Sequence, residues 1–80
     1  GEEFVVLVPD VQNEDEGLHI AEKIRAAVAG AAFPSVGHLT VSMGVSCARK
    51  GDTDSATVVE RADQALYTAK ELGRNRVVQL

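Results

Sequence analysis

The sequence predicts an α/β domain in which helices pack on one small sheet, in the order strand, helix, strand, helix, strand. Three observations carry that prediction. Phe4, Val5, Val6, Leu7 and Val8 form a continuous, β-branched-rich apolar run. Residues 39–48 alternate apolar with small polar side chains, the period of a strand. Two intervening stretches, residues 15–31 and about 55–72, repeat apolar residues at helical spacing.

Each element has its own signals. The run 4–8 reads as a buried strand ended by Pro9 and Asp10. Residues 10–17 are polar and acidic and read as a loop. In the first helix Leu18, Ala21, Ile24 and Val28 recur at helical spacing, and Ile20, Ala27 and Ala31 widen that apolar face. Glu22, Lys23 and Arg25 are left for the surface. Phe33 before Pro34 stops the helix, because the residue preceding proline is pushed out of the helical region. In the second strand Val41, Met43, Val45 and Cys47 alternate with Thr40, Ser42, Gly44 and Ser46, which predicts one buried face. Thr53, Asp54 or Ser55 supplies the cap of the second helix. Its inner face is Val58, Ala62, Ala65, Leu66, Ala69 and Leu72, and Gly73 follows as the natural residue just past its end. Val77 and Val78 form a short last strand.

Composition sets limits on function. Eighty residues make one small domain, and domains of that size bury only roughly 60–65 % of their unfolded surface. The net charge of −4 argues against a nucleic-acid binder working through a basic surface. It leaves room for a nucleotide enzyme that needs only local cations and a metal. No apolar run approaches the roughly 18 residues of a membrane span, and no signal peptide is visible, so a cytoplasmic setting is expected. The single Cys47 has no partner for a bridge and no metal-ligand spacing; it reads as a small strand residue in or near the core. His19 and His38 share no ligand spacing and are expected on the surface.

Two clusters have chemical potential. Glu2 and Glu3 stand at the head of the first strand, and adjacent strand residues point to opposite faces. One carboxylate therefore carries more of any metal binding than the other. A hard divalent ion such as Mg²⁺ takes one or two carboxylates plus phosphate oxygens. The alternative is an exposed acidic pair. Lys70 and Arg74 lie four residues apart and share one side at the end of the second helix. They either complement the negative end of the helix dipole or hold an anion placed beyond it.

Three motifs occur in order: Gly1, Glu2, Glu3 and Phe4; Thr40 through Ser46 with Ser42-Met43-Gly44-Val45 at its centre; and Ala62-Asp63-Gln64-Ala65-Leu66-Tyr67 leading to Lys70, Arg74, Asn75 and Arg76. Together they resemble the C-terminal half of a GGDEF domain, the diguanylate cyclase family. Gly1 matches the second glycine of a Gly-Gly-Glu-Glu-Phe signature, and the likeness covers essentially residues 1–80. It implies a partial ferredoxin-like, nucleotidyl-cyclase-like α+β fold. It also implies condensation of two GTP into cyclic di-GMP and pyrophosphate by a homodimer with Mg²⁺ or Mn²⁺, in a protein carrying an upstream sensory region. By position, Glu2 resembles a metal ligand proposed as general base, and Glu3 an acidic residue near metal and phosphates. Gly1 resembles the glycine that admits the nucleotide. Lys70 and Arg74 resemble the pair on the terminal phosphates. Phe4 is expected to anchor its strand in the core, Gly44 to permit close backbone approach, and Asp63 and Tyr67 to pack or hydrogen-bond. Lys23 falls near a basic position of a secondary product-inhibition contact.

The resemblance also implies that an N-terminal half, with a further metal-binding Asp and the primary product-inhibition motif, is absent from these residues. Its first strand would lie between the strands at 4–8 and 40–46, so the isolated chain is expected to have unpaired edges, to associate, exchange segments or need the missing half to fold well, and to be inactive alone. The alternative functional reading is a degenerate, non-catalytic GGDEF module that binds GTP or cyclic di-GMP. A third is a small interaction domain with coincidental motifs.

Overall fold

The computed structural model describes residues 1–9 and 14–80. Its elements are β1 (Glu2–Val8), α1 (Glu14–Gly30), β2 (Val41–Cys47), α2 (Ser55–Glu71) and β3 (Val77–Gln79). The predicted order holds. Part of the predicted loop at 10–17 lies outside the described residues, and residues 14–17 form the first turn of α1 instead.

The three strands form one parallel sheet in the order β1-β2-β3. β1 and β2 pair directly over seven residues, from Glu2 opposite Val41 to Val8 opposite Cys47. The expected gap between these strands is therefore closed. Backbone groups on their facing edges satisfy each other, which removes the cost of leaving them bare. The other side of β1 is an edge of the sheet.

The helices lie on opposite faces. A Cβ added to Gly17 of α1 would collide with the Val8 side chain and lie 3.7 Å from that of Val45. One added to Gly44 would instead meet α2, at the carbonyl of Ala62 and the backbone of Leu66. Val45 and Gly44 are neighbours on one strand and point to opposite faces. Since both crossovers step the same way across the sheet, helices on opposite faces give the two connections opposite hands. One is therefore left-handed, an arrangement found in only about 2 % of such connections.

This sandwiching explains why β2 is buried at every position, not on one face as its alternation predicts. Val41, Met43, Val45 and Cys47 join Val8 and Ala21 in the core under α1. Ser42, Gly44 and Ser46 form the floor beneath α2, which buries Val58, Ala62, Ala65 and Ala69. Leu72, expected inside, is 57 % exposed. Small residues on both sides let helix and strand backbones approach closely, and Gly44 meets its predicted role.

The first helix is rotated from its predicted seat. Ala21 and Gly17 are buried and Arg25 and Val28 half-buried, whereas Leu18, Ile20 and Ile24 are exposed. Gly17 and Ala21 are the residues that allow contact with Val8 and Val45, and the larger side chains are turned outward. β1 is likewise more open than a continuous apolar run suggests, since only β2 flanks it. Phe4 is 51 % exposed, so it does not anchor the strand in the core.

Candidate functional site

The head of β1 and the carboxyl-terminal end of α2 meet beside the amino-terminal end of β2. Glu3 is in register with Ser42 on the face covered by α2, while Glu2 shares the α1 face with Val41. The alternation along β1 thus separates the two carboxylates. Only Glu3 points toward the helix tail. Its Oε1 accepts from Lys70 Nζ at 3.2 Å, and its Oε2 lies 3.9 Å from the Arg74 guanidinium. The Glu2 backbone N–H donates to the Thr40 carbonyl at 2.9 Å, holding the strand head in place. Gly1 packs so tightly on Thr40 that a Cβ there would lie 2.9 Å from its carbonyl oxygen.

Arg74 reaches Glu3 because α2 ends abruptly. Asp54, of the three candidate caps, opens the helix by accepting from the Thr57 N–H at 3.2 Å. At the other end Gly73 N–H donates to the Lys70 carbonyl and Arg74 N–H to the Ala69 carbonyl. This is a Schellman closure with glycine at its left-handed position. The turn continues with Arg74 at φ 63° and Asn75 at φ 47°. Left-handed geometry costs a residue with a side chain roughly 1–2 kcal/mol, and here it falls on a residue whose cation faces the site.

Two polar contacts brace that turn. Asn75 N–H donates to Ser42 Oγ at 3.2 Å, and Arg25 Nη1 donates to Asn75 Oδ1 at 2.9 Å. Arg25 also grips Glu22, which raises its own pKa and lowers that of Glu22 through their hydrogen bonds. Arg25 was expected to be solvated on the surface of α1. It instead ties that helix to the turn carrying Arg74. Its signal in the sequence is its place on the Gly17, Ala21, Val28 stripe, which a search for large apolar residues passes over.

At the opposite end of the sheet, Arg61 binds Asp52 through two hydrogen bonds of 2.8 and 3.1 Å and donates to the Cys47 carbonyl at 3.0 Å. With the Arg49 N–H donating as well, the Asp52 carboxyl is held below the usual range, chiefly by Arg61. This cluster closes the loop before α2. Next to it a largely apolar depression of about 470 Å³ runs between Leu7, Pro9, Ala48 and Val58, away from Glu3. Asp63 and Tyr67 are exposed on α2, Lys23 and His19 on α1, and His38 in the loop before β2. Cys47 is buried, as expected.

Among the described residues no three His, Cys, Asp or Glu side chains converge as a metal cage. Glu3, one carboxylate beside two cations, suits a hard divalent ion that brings phosphate oxygens of its own. The cations would hold phosphate where the negative end of α2 otherwise repels it. No helix among the described residues is long and apolar enough to cross a membrane.

The family model described as "Diguanylate cyclase, GGDEF domain" matches residues 1–76. The chain is 48 % identical to the response regulator PleD of Caulobacter vibrioides, with 98 % of the chain aligned to 18 % of that protein. It is 45 % identical to the diguanylate cyclase DgcP of Pseudomonas aeruginosa, with 96 % of the chain and 12 % of the relative covered. It is 42 % identical to the diguanylate cyclase DgcM of Escherichia coli, with 98 % and 18 % covered. The chain thus spans less than a fifth of the length of these three relatives. No solved structure gives a significant match.

Proposed function

Because the chain belongs to the diguanylate cyclase GGDEF family, we propose that it supplies the phosphate-binding part of a domain that condenses two GTP into cyclic di-GMP and pyrophosphate. One observation carries this reading: Glu3 from the start of the chain meets Lys70 and Arg74 from its end. Residues 67 and 71 positions apart in sequence form a carboxylate and cation set of the kind a metal-bound triphosphate requires.

In this reading Lys70 and Arg74 hold the terminal phosphates. Lys70 acts as a point charge, and Arg74 presents a planar fork to two oxygens. Gly1 lets the strand head pack directly on Thr40, which fills the space a side chain would take. Glu3 would hold Mg²⁺ or Mn²⁺ beside the cations, while Glu2, on the other face of β1, points away from that ion. When bound, that ion neutralises charge on the transferring phosphoryl group and favours ionisation of the attacking hydroxyl. Glu2 is the candidate general base. The reaction joins two nucleotides, so a homodimer with one GTP on each protomer is required. The 80 residues alone are expected to be inactive, and an upstream regulatory region is the source of control. PleD is itself named a response regulator.

A second reading, a non-catalytic module that binds GTP or cyclic di-GMP, has one observation in its favour: Glu2 lies on the face opposite the cation pair. Cyclic di-GMP formation from GTP and Mg²⁺ by the protein carrying this chain separates the two. A cyclase loses turnover on Glu2→Ala and loses GTP affinity on Lys70→Ala. GTP binding with no product favours the module. Turnover untouched by either substitution would remove both assignments.

A further inference from the structure

We propose that Glu3 is an internal anion that occupies the Lys70–Arg74 clamp, and that phosphate enters by exchange with its carboxylate. This rests on the phosphate-clamp reading above. The carboxylate divides its oxygens between the two cations, Oε1 to Lys70 and Oε2 to Arg74, much as two phosphate oxygens would. It sits at the carbonyl end of α2, where a negative charge is repelled by the helix unless cations offset it. Glu3 can also leave. Its side chain is 44 % exposed and those of Lys70 and Arg74 are 30 % and 62 % exposed, so water reaches all three partners.

Two consequences separate this arrangement from an ordinary surface ion pair. An anion entering the clamp must first displace Glu3, which weakens its apparent affinity. A divalent ion that takes up the freed carboxylate removes the competitor and favours phosphate on the cations. Metal and phosphate thus help each other through Glu3, and by linkage the coupling is reciprocal. Glu60 gives the charge control, since it is an exposed carboxylate on α2 ten residues from Lys70 and outside the clamp.

The test is calorimetric titration of the protein carrying this chain with inorganic pyrophosphate, first without divalent ions and then with Mg²⁺. The variants are Glu3→Gln, Glu60→Gln and Lys70→Ala. Without metal, Glu3→Gln should bind about three- to fivefold more tightly than the unaltered chain, the scale of an exposed ion pair. Glu60→Gln should stay within about twofold, and Lys70→Ala should bind more weakly. Mg²⁺ should shrink the advantage of Glu3→Gln. Equal affinity of Glu3→Gln and the unaltered chain, with Lys70→Ala still weakened, overturns the proposal and leaves the clamp standing. An equal gain from Glu60→Gln also overturns it, by reducing the effect to net charge. A Glu3→Gln advantage that Mg²⁺ leaves unchanged overturns the exchange with metal. Binding indifferent to Lys70→Ala, or no binding by any form, removes the clamp and the proposal together.

Discussion

Gly44→Ala tests how α2 is seated, and its cost follows from the structure. The added methyl would collide with the Ala62 carbonyl and the Leu66 N–H and lie 2.9 Å from the Leu66 Cα. All three obstacles are backbone, so no rotamer change relieves them. To restore ordinary contact α2 must back away from β2 by roughly 1 Å, and close-packed interiors do not absorb such a shift freely. Ala62, Ala65 and Ala69, each fully buried, would lose contact with the sheet together. Overpacking of this kind costs about 2–3 kcal/mol. A domain of this length has about 4–12 kcal/mol in all, and its melting temperature should fall by about 8–24 °C. Thermal and urea unfolding followed by circular dichroism reads the loss. Gly30→Ala is the control, because nothing lies within 4 Å of its added methyl, and it should be neutral or stabilising by up to about 1 kcal/mol. A loss below about 0.5 kcal/mol for Gly44→Ala would mean that α2 does not rest on this strand as described.

Other expectations follow from single side chains. Ser46 is fully buried with an unpartnered hydroxyl, so Ser46→Ala should be neutral or stabilise by about 1 kcal/mol in urea unfolding; a comparable loss would reveal a partner for that hydroxyl. The Asp52 carboxyl has a lower pKa folded than unfolded. Its contribution is therefore present above the unfolded value near 4 and is lost as pH falls through the folded one. Urea midpoints between pH 6 and pH 2 should fall less steeply for Asp52→Asn, and an unchanged slope would count against the Arg61 contact. Arg25→Ala should speed amide hydrogen exchange at Asn75, and unaltered exchange would show that the Arg25 brace is dispensable. The β1 edge carries Val5 and Leu7 at 39 % and 45 % exposure, and an exposed apolar edge recruits other strands. Sedimentation should show concentration-dependent association that Val5→Lys suppresses; a monomer at all concentrations would refute it.

Element type and order were legible because periodicity reports secondary structure directly. α2 was read almost residue by residue: its small apolar stripe is both the hydrophobic face and the face that permits close approach. In α1 those two criteria conflict. Ile20 and Ile24 dominate a count of apolar residues, but Gly17 and Ala21 allow the helix to reach Val8 and Val45, and proximity decides the seat. β2 shows a similar limit, since Ser42 and Ser46 look like a solvent face until a second helix covers them. At the site, Glu3, Lys70 and Arg74 were each named from the sequence, and alternation already implied that Glu2 and Glu3 diverge. Which of the two would face the cations depended on the β1–β2 register. The role of Arg25 depends on a contact fifty residues away, and its local trace is only its place on the stripe of small residues in α1.

The left-handed backbone at residue 74 sets two kinds of selection against each other. Glycine there would relieve roughly 1–2 kcal/mol of crowding and give back about 0.5–1 kcal/mol through the freer unfolded chain, a small net gain. It would also delete the guanidinium opposite Glu3. A library sorted for heat resistance should drift toward glycine at this position, whereas one sorted for nucleotide retention should keep arginine. The preferred residue would then report which pressure a lineage has experienced.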